Sequence, residues 1–319
     1  MVRRTCALLI TCPTMARMDS DVGAVHAPQR FIVGYTADDR GFEALALATS
    51  LARRADAELV ITLILRQPSP YSGAESGLYT NDPIVRERVT TWEREALACV
   101  PDGIRARTEL RAADDEASGL LDAVAEHDAS VIVIGARSNP LLQAIAIGST
   151  ANALLHSSEV PVALAPVGYG HTTGVTRVTA VYGTRPGAAA VVGTAVEAAD
   201  RRGVPLRLLS LLPEDETAET VVDEAAEQTR YFGGEALGSR AEEVLGRETT
   251  TVEVVGGTDL EDAVTRVEWI DGEIALVGSS RLAPRGRVFI GSTAQRLMRR
   301  IPTPLIVIPR DYSYGPASV

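Results

Sequence analysis

No lysine occurs in this chain of 319 residues: the 31 positive side chains are all arginine. That absence removes Schiff-base chemistry, and with it pyridoxal-phosphate enzymes and lysine-type aldolases. It also removes the phosphate-gripping lysine of a P-loop NTPase and the strand lysine of a protein kinase. Cysteine is scarce, and Cys6, Cys12 and Cys99 give neither a Cys-x-x-Cys pair nor a disulfide framework. His26, His127, His156 and His171 are scattered, with no His-Glu-x-x-His and no zinc-ligand spacing. Aromatic residues reach only 4%, low for a globular chain. No apolar run approaches the roughly 18 residues of a membrane span. Positive charge is in deficit too. A net charge of −11 argues against nucleic acid or an anionic membrane as a general partner. Nor is there a His-Ile-Gly-His, Ser-Gly-Gly-x-Asp-Ser, Gly-x-Ser-x-Gly or Gly-x-Gly-x-x-Gly signature, so no common enzyme class announces itself.

What remains is an ordinary globular composition, 45% hydrophobic and 23% charged, with length for about two domains. The composition implies a cytoplasmic protein. Residues 1–30 read apart from the rest, as a disordered leader or an over-called start ahead of Met15 or Met18. Arg3-Arg4 and the apolar run Cys6 to Cys12 look like an export signal, but the run is at the minimum length and lacks a cleavage site.

From Phe31 the pattern alternates between strand and helix, which predicts a parallel sheet. Strands are expected at Phe31–Tyr35, Glu58–Leu65, Arg105–Arg111 and Val131–Ile134, the last ending at Gly135. Helices fall between them, over 44–54, 84–98 and 118–127, with a loop over 67–83. The series then restarts. Strands over 178–182, 205–212, 250–255 and 274–277 surround helices over 189–202 and 260–267 and an acidic helical stretch over 213–248. A glycine-rich linker, Gly168 to Gly174, divides the two series.

The restart is a duplication. Ile147-Gly148-Ser149-Thr150-Ala151 recurs 143 positions later as Ile290-Gly291-Ser292-Thr293-Ala294. Gly135 matches Gly278 at the same offset, and eight of the 20 positions from Ile147 to Pro166 are identical. The expected domains are repeat 1, residues 31–168, and repeat 2, residues 175–312.

In each repeat a strand ends in glycine, and a loop of about 12 residues leads to Gly-Ser-Thr opening a helix. Such a helix start offers unpaired N–H groups and the positive end of a dipole, so it suits an anion. It equally suits plain helix capping. The layout resembles the universal stress protein family in its tandem two-domain form, from Phe31 to about Arg310. That family's nucleotide-binding members carry Gly-x2-Gly-x9-Gly-Ser/Thr and an aspartate ending the first strand. Here the stretch runs Gly135, Ser138, Gly148-Ser149 and Gly278, Arg281, Gly291-Ser292. The spacing is kept twice and the second glycine is lost twice. The aspartate position is matched to Thr36 and Tyr182.

The resemblance implies two tandem α/β domains, Rossmann-like or flavodoxin-like, each with a five-stranded parallel sheet between helices. It implies pairing through Pro161–Pro166 and Pro304–Pro309 as an intramolecular pseudo-dimer, with a homodimer of the whole chain as a further expectation. It implies a non-catalytic stress protein, with at most weak ATP hydrolysis, holding an adenine nucleotide (ATP with Mg) in one or both repeats. The nucleotide residues would be Thr36, Gly135, Ser138, Gly148, Ser149 and Thr150, and Tyr182, Gly278, Arg281, Gly291, Ser292 and Thr293. The lost glycines and aspartates leave a second reading, a scaffold that binds no nucleotide.

Charge separates the two copies. Residues 138–157 hold no charged side chain, whereas 281–300 hold six arginines, including Arg285 and Arg287 in the loop. Arg281 either grips phosphate or plugs the pocket, while Arg296, Arg299 and Arg300 are expected to line a solvated helix face. Asp38-Asp39 are expected to open the first helix, and Asp114-Asp115-Glu116 to be a solvated run before another. His127 and His156 read as surface residues, Cys99 as a buried or half-buried thiol, and Trp92 and Trp269 as packing residues.

Overall fold

The computed structural model describes residues 29–67, 82–139, 144–146, 148–170, 173–182, 188–213, 243–279, 288, 291–310 and 312. Repeat 1 runs β1 (Gln29–Gly34), α1 (Asp39–Ala52), β2 (Ala57–Arg66), α2 (Pro83–Ala98), β3 (Arg105–Ala113), α3 (Glu116–His127) and β4 (Val131–Gly135). A small hairpin follows, β5 (Arg137–Asn139) with β6 (Ala144–Ala146), then α4 (Ser149–Ser157) and β7 (Val162–Ala165). Repeat 2 gives β8 (Arg177–Val181), α5 (Ala188–Arg202), β9 (Leu206–Pro213), β10 (Thr250–Gly257), α6 (Leu260–Thr265), β11 (Glu273–Gly278), α7 (Ser292–Met298) and β12 (Leu305–Ile308). Most of the expected acidic helix over 213–248 lies outside the described residues.

Aspartates set several helix starts. Asp38, Asp82, Asp115 and Asp259 are N-caps whose carboxylates accept backbone N–H bonds from Gly41, Ile84, Ser118 and Asp262. Such a cap answers donors that the first turn leaves unpaired. Pro83 then opens α2, where its missing N–H costs nothing.

The other ten strands form one sheet in the order β10-β9-β8-β11-β12-β7-β4-β1-β2-β3. Within this sheet every pair inside a repeat is parallel, five strands to each. The repeats join where β12 meets β7 antiparallel, with Leu305 opposite Leu164 and Val307 opposite Val162. Both faces of the sheet are covered. Apolar faces of α1, α2 and α5 pack on one side and those of α3, α4, α6 and α7 on the other. Strand residues such as Ile32, Leu59, Ile132 and Leu208 are accordingly fully buried, as parallel strands between helix layers are.

Further hydrogen bonds tie the repeats. Arg202, at the end of α5, donates to the carbonyl of Leu51 at the end of α1 (2.7 Å). Val288 donates its N–H to the carbonyl of Ser158, just past α4 (2.8 Å).

Strand order reverses between β1 and β4 in repeat 1, and between β8 and β11 in repeat 2. In open parallel sheets the ligand crevice lies beyond the carboxyl ends of strands at such a reversal. Gly135 and Gly278 end β4 and β11 at those two places.

Candidate functional site

In repeat 1, Gly135 is a glycine for a steric reason: a Cβ there would lie 2.2 Å from the carbonyl oxygen of Arg40. The β4 end is thus pressed against the start of α1. Thr36, just after β1, donates its hydroxyl to Asp38 (2.5 Å), and Arg40 grips the same carboxylate (2.8 Å). Burial raises the Asp38 pKa, but the hydrogen bonds from Thr36, Arg40 and Gly41, with the Arg40 charge, outweigh it. The net effect holds Asp38 below the ordinary carboxylate range. Asp38 therefore serves the helix start, as expected for Asp38-Asp39.

Gly148 is the N-cap of α4 and contributes no side-chain cap. Ser149 is exposed, and Thr150 turns inward to donate to Glu116 Oε2 at 2.7 Å. Glu116 is the first residue of α3, so this bond links the first turns of α3 and α4. Gly34, Thr36, Arg40, Gly135, Gly148 and Thr150 wall what space remains. It amounts to about 20 Å³, room for little more than a water molecule. The structure thus brings Thr36, Gly135, Gly148 and Thr150 around one small space, with Glu116 among them. Ser138 lies on β5, paired with Ile145 across the hairpin.

Repeat 2 keeps the backbone plan. Gly278 ends β11, Gly291 caps α7 without a side-chain bond, and Ser292 and Thr293 open that helix. Arg281, Arg285 and Arg287 lie outside the described residues. Tyr182 is buried, and its N–H bonds Leu209 as that of Tyr35 bonds Thr62. By this register Tyr182 stands level with Tyr35, one place before Thr36. Arg296 and Arg300 both reach Glu261 (2.9 and 3.4 Å). The Arg296 hydrogen bond foremost holds Glu261 below the usual carboxylate range. Aligning the N-caps Asp115 and Asp259 puts Leu260 where repeat 1 has Glu116.

Two other places hold chemistry. Glu109, Glu126 and His127 bring potential metal-ligand atoms together, but the Arg111 guanidinium already lies on both carboxylates. A larger cavity, about 720 Å³, opens at the opposite end of the sheet, between the repeats. Its wall includes Arg105, paired with Asp56 at 2.7 Å, and Arg54, which caps the carbonyl of Arg202 at 3.4 Å. Cys99 is exposed, contrary to expectation, because it follows the end of α2 on the outside. Among the described residues no helix is long and apolar enough to cross a membrane.

Glu116, expected as part of a solvated run, is instead half-buried and bonded to Thr150. Its neighbours Asp114 and Asp115 mark a helix start, and nothing local shows that a residue 34 positions on completes the contact.

The model of the Universal stress protein family matches residues 28–166 and again 174–309. Universal stress proteins of Mycobacterium tuberculosis and Mycobacterium bovis are each 32% identical over 295 residues, covering 87% of this chain and 99% of theirs. A universal stress protein from Archaeoglobus fulgidus superposes with a TM-score of 0.63 at 18% identity, covering 88% of this chain and 98% of its own. One from Pseudomonas aeruginosa gives 0.60 at 18% identity, with 89% and 95% covered. This chain therefore belongs to the universal stress protein family and carries the family's domain twice.

Proposed function

We propose that this chain is a non-catalytic stress-response protein that takes an adenine nucleotide, ATP with Mg, in repeat 2 alone. The Glu116–Thr150 hydrogen bond carries the choice between repeats, because it puts a carboxylate where repeat 1 would hold a phosphate. Like charge at that distance disfavours a second anion strongly. Repeat 2 keeps the motif spacing, has Leu260 at the matching place, and has Arg281, Arg285 and Arg287 in its loop. Arginine binds phosphate in bidentate fashion without any lysine. Solved universal stress proteins include complexes with cAMP and with dAMP; for this chain the support is its own motif.

The scaffold reading is favoured by a separate observation. Arg296 and Arg300, a third of the arginines in 281–300, are already paired with Glu261.

Thermal shift with millimolar Mg-ATP separates the two. Stabilisation of wild type that survives Gly148→Val and disappears in Gly291→Val supports a site in repeat 2. No shift in wild type, with no nucleotide released on denaturing the purified protein, leaves the scaffold.

A further inference from the structure

Glu116 has no counterpart in repeat 2, and its surroundings are those of a bound anion. Glu116 is the first residue of α3, and its carboxylate accepts from the side chain of Thr150, the second residue of α4. Each helix start concentrates partial positive charge and favours an anion. Gly148 brings no side-chain cap, so α4 relies on what is brought to it. Thr150, a hydroxyl placed to serve an incoming phosphate, is already donating at 2.7 Å. The remaining space of about 20 Å³ is lined by Glu116 itself together with Gly34, Thr36, Arg40, Gly148 and Thr150.

We infer that Glu116 is an internal anion standing in for a phosphate, and that its carboxylate keeps repeat 1 closed to phosphorylated ligands. The structural consequence is specific. Truncating Glu116 to alanine removes the carboxylate and a methylene, a group close in size to phosphate, from between two helix starts. The charge preference of those helix starts is left unanswered. A phosphate entering there meets the Thr150 hydroxyl and the first-turn N–H groups of α4. Glutamine at the same place keeps an acceptor for Thr150 while removing the negative charge.

The inference rests on the reading that this end of each repeat is an anion site, but not on repeat 2 being filled. The test is therefore run on the full chain carrying Gly291→Val. Inorganic phosphate and Mg-ATP are titrated calorimetrically into Gly291→Val, Gly291→Val with Glu116→Ala, and the triple variant with Gly148→Val. The expected result is a gain in affinity of about tenfold or more on removing Glu116, cancelled by Gly148→Val. Glu116→Gln carries the same comparison, with a smaller gain, if the alanine variant does not fold. Folded Glu116 variants that bind neither probe overturn the inference. So does Gly148-dependent binding by Gly291→Val with Glu116 intact. A wild type that binds nothing would count against repeat 2 as the site and leave this comparison standing.

Discussion

Arg207 buries its guanidinium in the core of repeat 2, donating to Glu273 (2.6 Å), Glu253 (3.0 Å) and Thr179 (3.1 Å), over the ring of Trp269. Glu273 is fully buried and also pairs with Arg177 at 2.5 Å. Repeat 1 solves the same place without charge. Thr179 faces Arg207 across β8 and β9 as Ile32 faces Val60 across β1 and β2, and Ser130 lies 143 positions before Glu273. Removing one member of a buried pair leaves a bare charge, so Arg207→Ala should lower the unfolding free energy by about 3–5 kcal/mol. Arg207→Val with Glu273→Ser and Thr179→Ile, which copies repeat 1, should cost clearly less, since the charges left without these partners, Arg177 and Glu253, are partly exposed. Urea unfolding of both variants checks the ordering, and equal losses would show that the network is not a unit. Glu43 makes a second residue-scale case. Burial foremost pushes its pKa up, against the bond from the Gly168 N–H at 2.5 Å, while Asp39 and Asp38 add to the rise. A carboxyl raised on folding contributes stability below its unfolded pKa and loses it as pH climbs through the folded value. Glu43→Gln should therefore gain stability at pH 7 over wild type and show a flatter stability profile from about pH 4 upward. Urea melts across that range would contradict this if the two profiles ran parallel. Neither Glu116 nor the Arg207–Glu273 pair was legible in the sequence, because each is made by partners 34 and 66 positions apart.

At the scale of elements, the local signals were sufficient for most of the fold. Apolar runs and helical spacing located the strands and helices, and Asp38 opened α1 as its charge and position implied. Boundaries moved where a cap or a ladder rung extended the element. α3 begins at Glu116 rather than Ser118 because Asp115 caps it, and β1 begins at Gln29, whose N–H bonds Asp56. The β5–β6 hairpin was missed because its strands are three residues each, too short for an alternation to register. The meeting of β4 with α1 at Gly135 offers a direct check. A methyl group there falls 2.2 Å from the Arg40 carbonyl oxygen, and that oxygen belongs to backbone, so the helix start must shift. Gly135→Ala should cost about 1–3 kcal/mol, the range for overpacking a fitted contact. A thermal midpoint unchanged from wild type would show that β4 and α1 are not held so closely.

For the whole molecule, the 143-residue offset read in the sequence becomes two five-stranded halves of one sheet, joined by β7 and β12. The duplication was legible because the matched glycines and prolines sit at strand ends and helix starts, where backbone shape restricts the residue. What the offset did not show is that the copies have drifted in chemistry, one having Glu116 at the first position of its helix and the other Leu260. The arginine-only composition belongs to this scale as well. Phosphate in such a chain has to be held by backbone N–H groups, hydroxyls and guanidinium groups, and the sequence of repeat 2 supplies arginine in its loop where that of repeat 1 has no charge. A crystal structure of the full chain grown with Mg-ATP tests that asymmetry most directly. The account predicts nucleotide density between Gly278 and Gly291 alone, with Glu116 still hydrogen-bonded to Thr150. Triphosphate density over Gly148 and Thr150, with Glu116 swung aside, would contradict it.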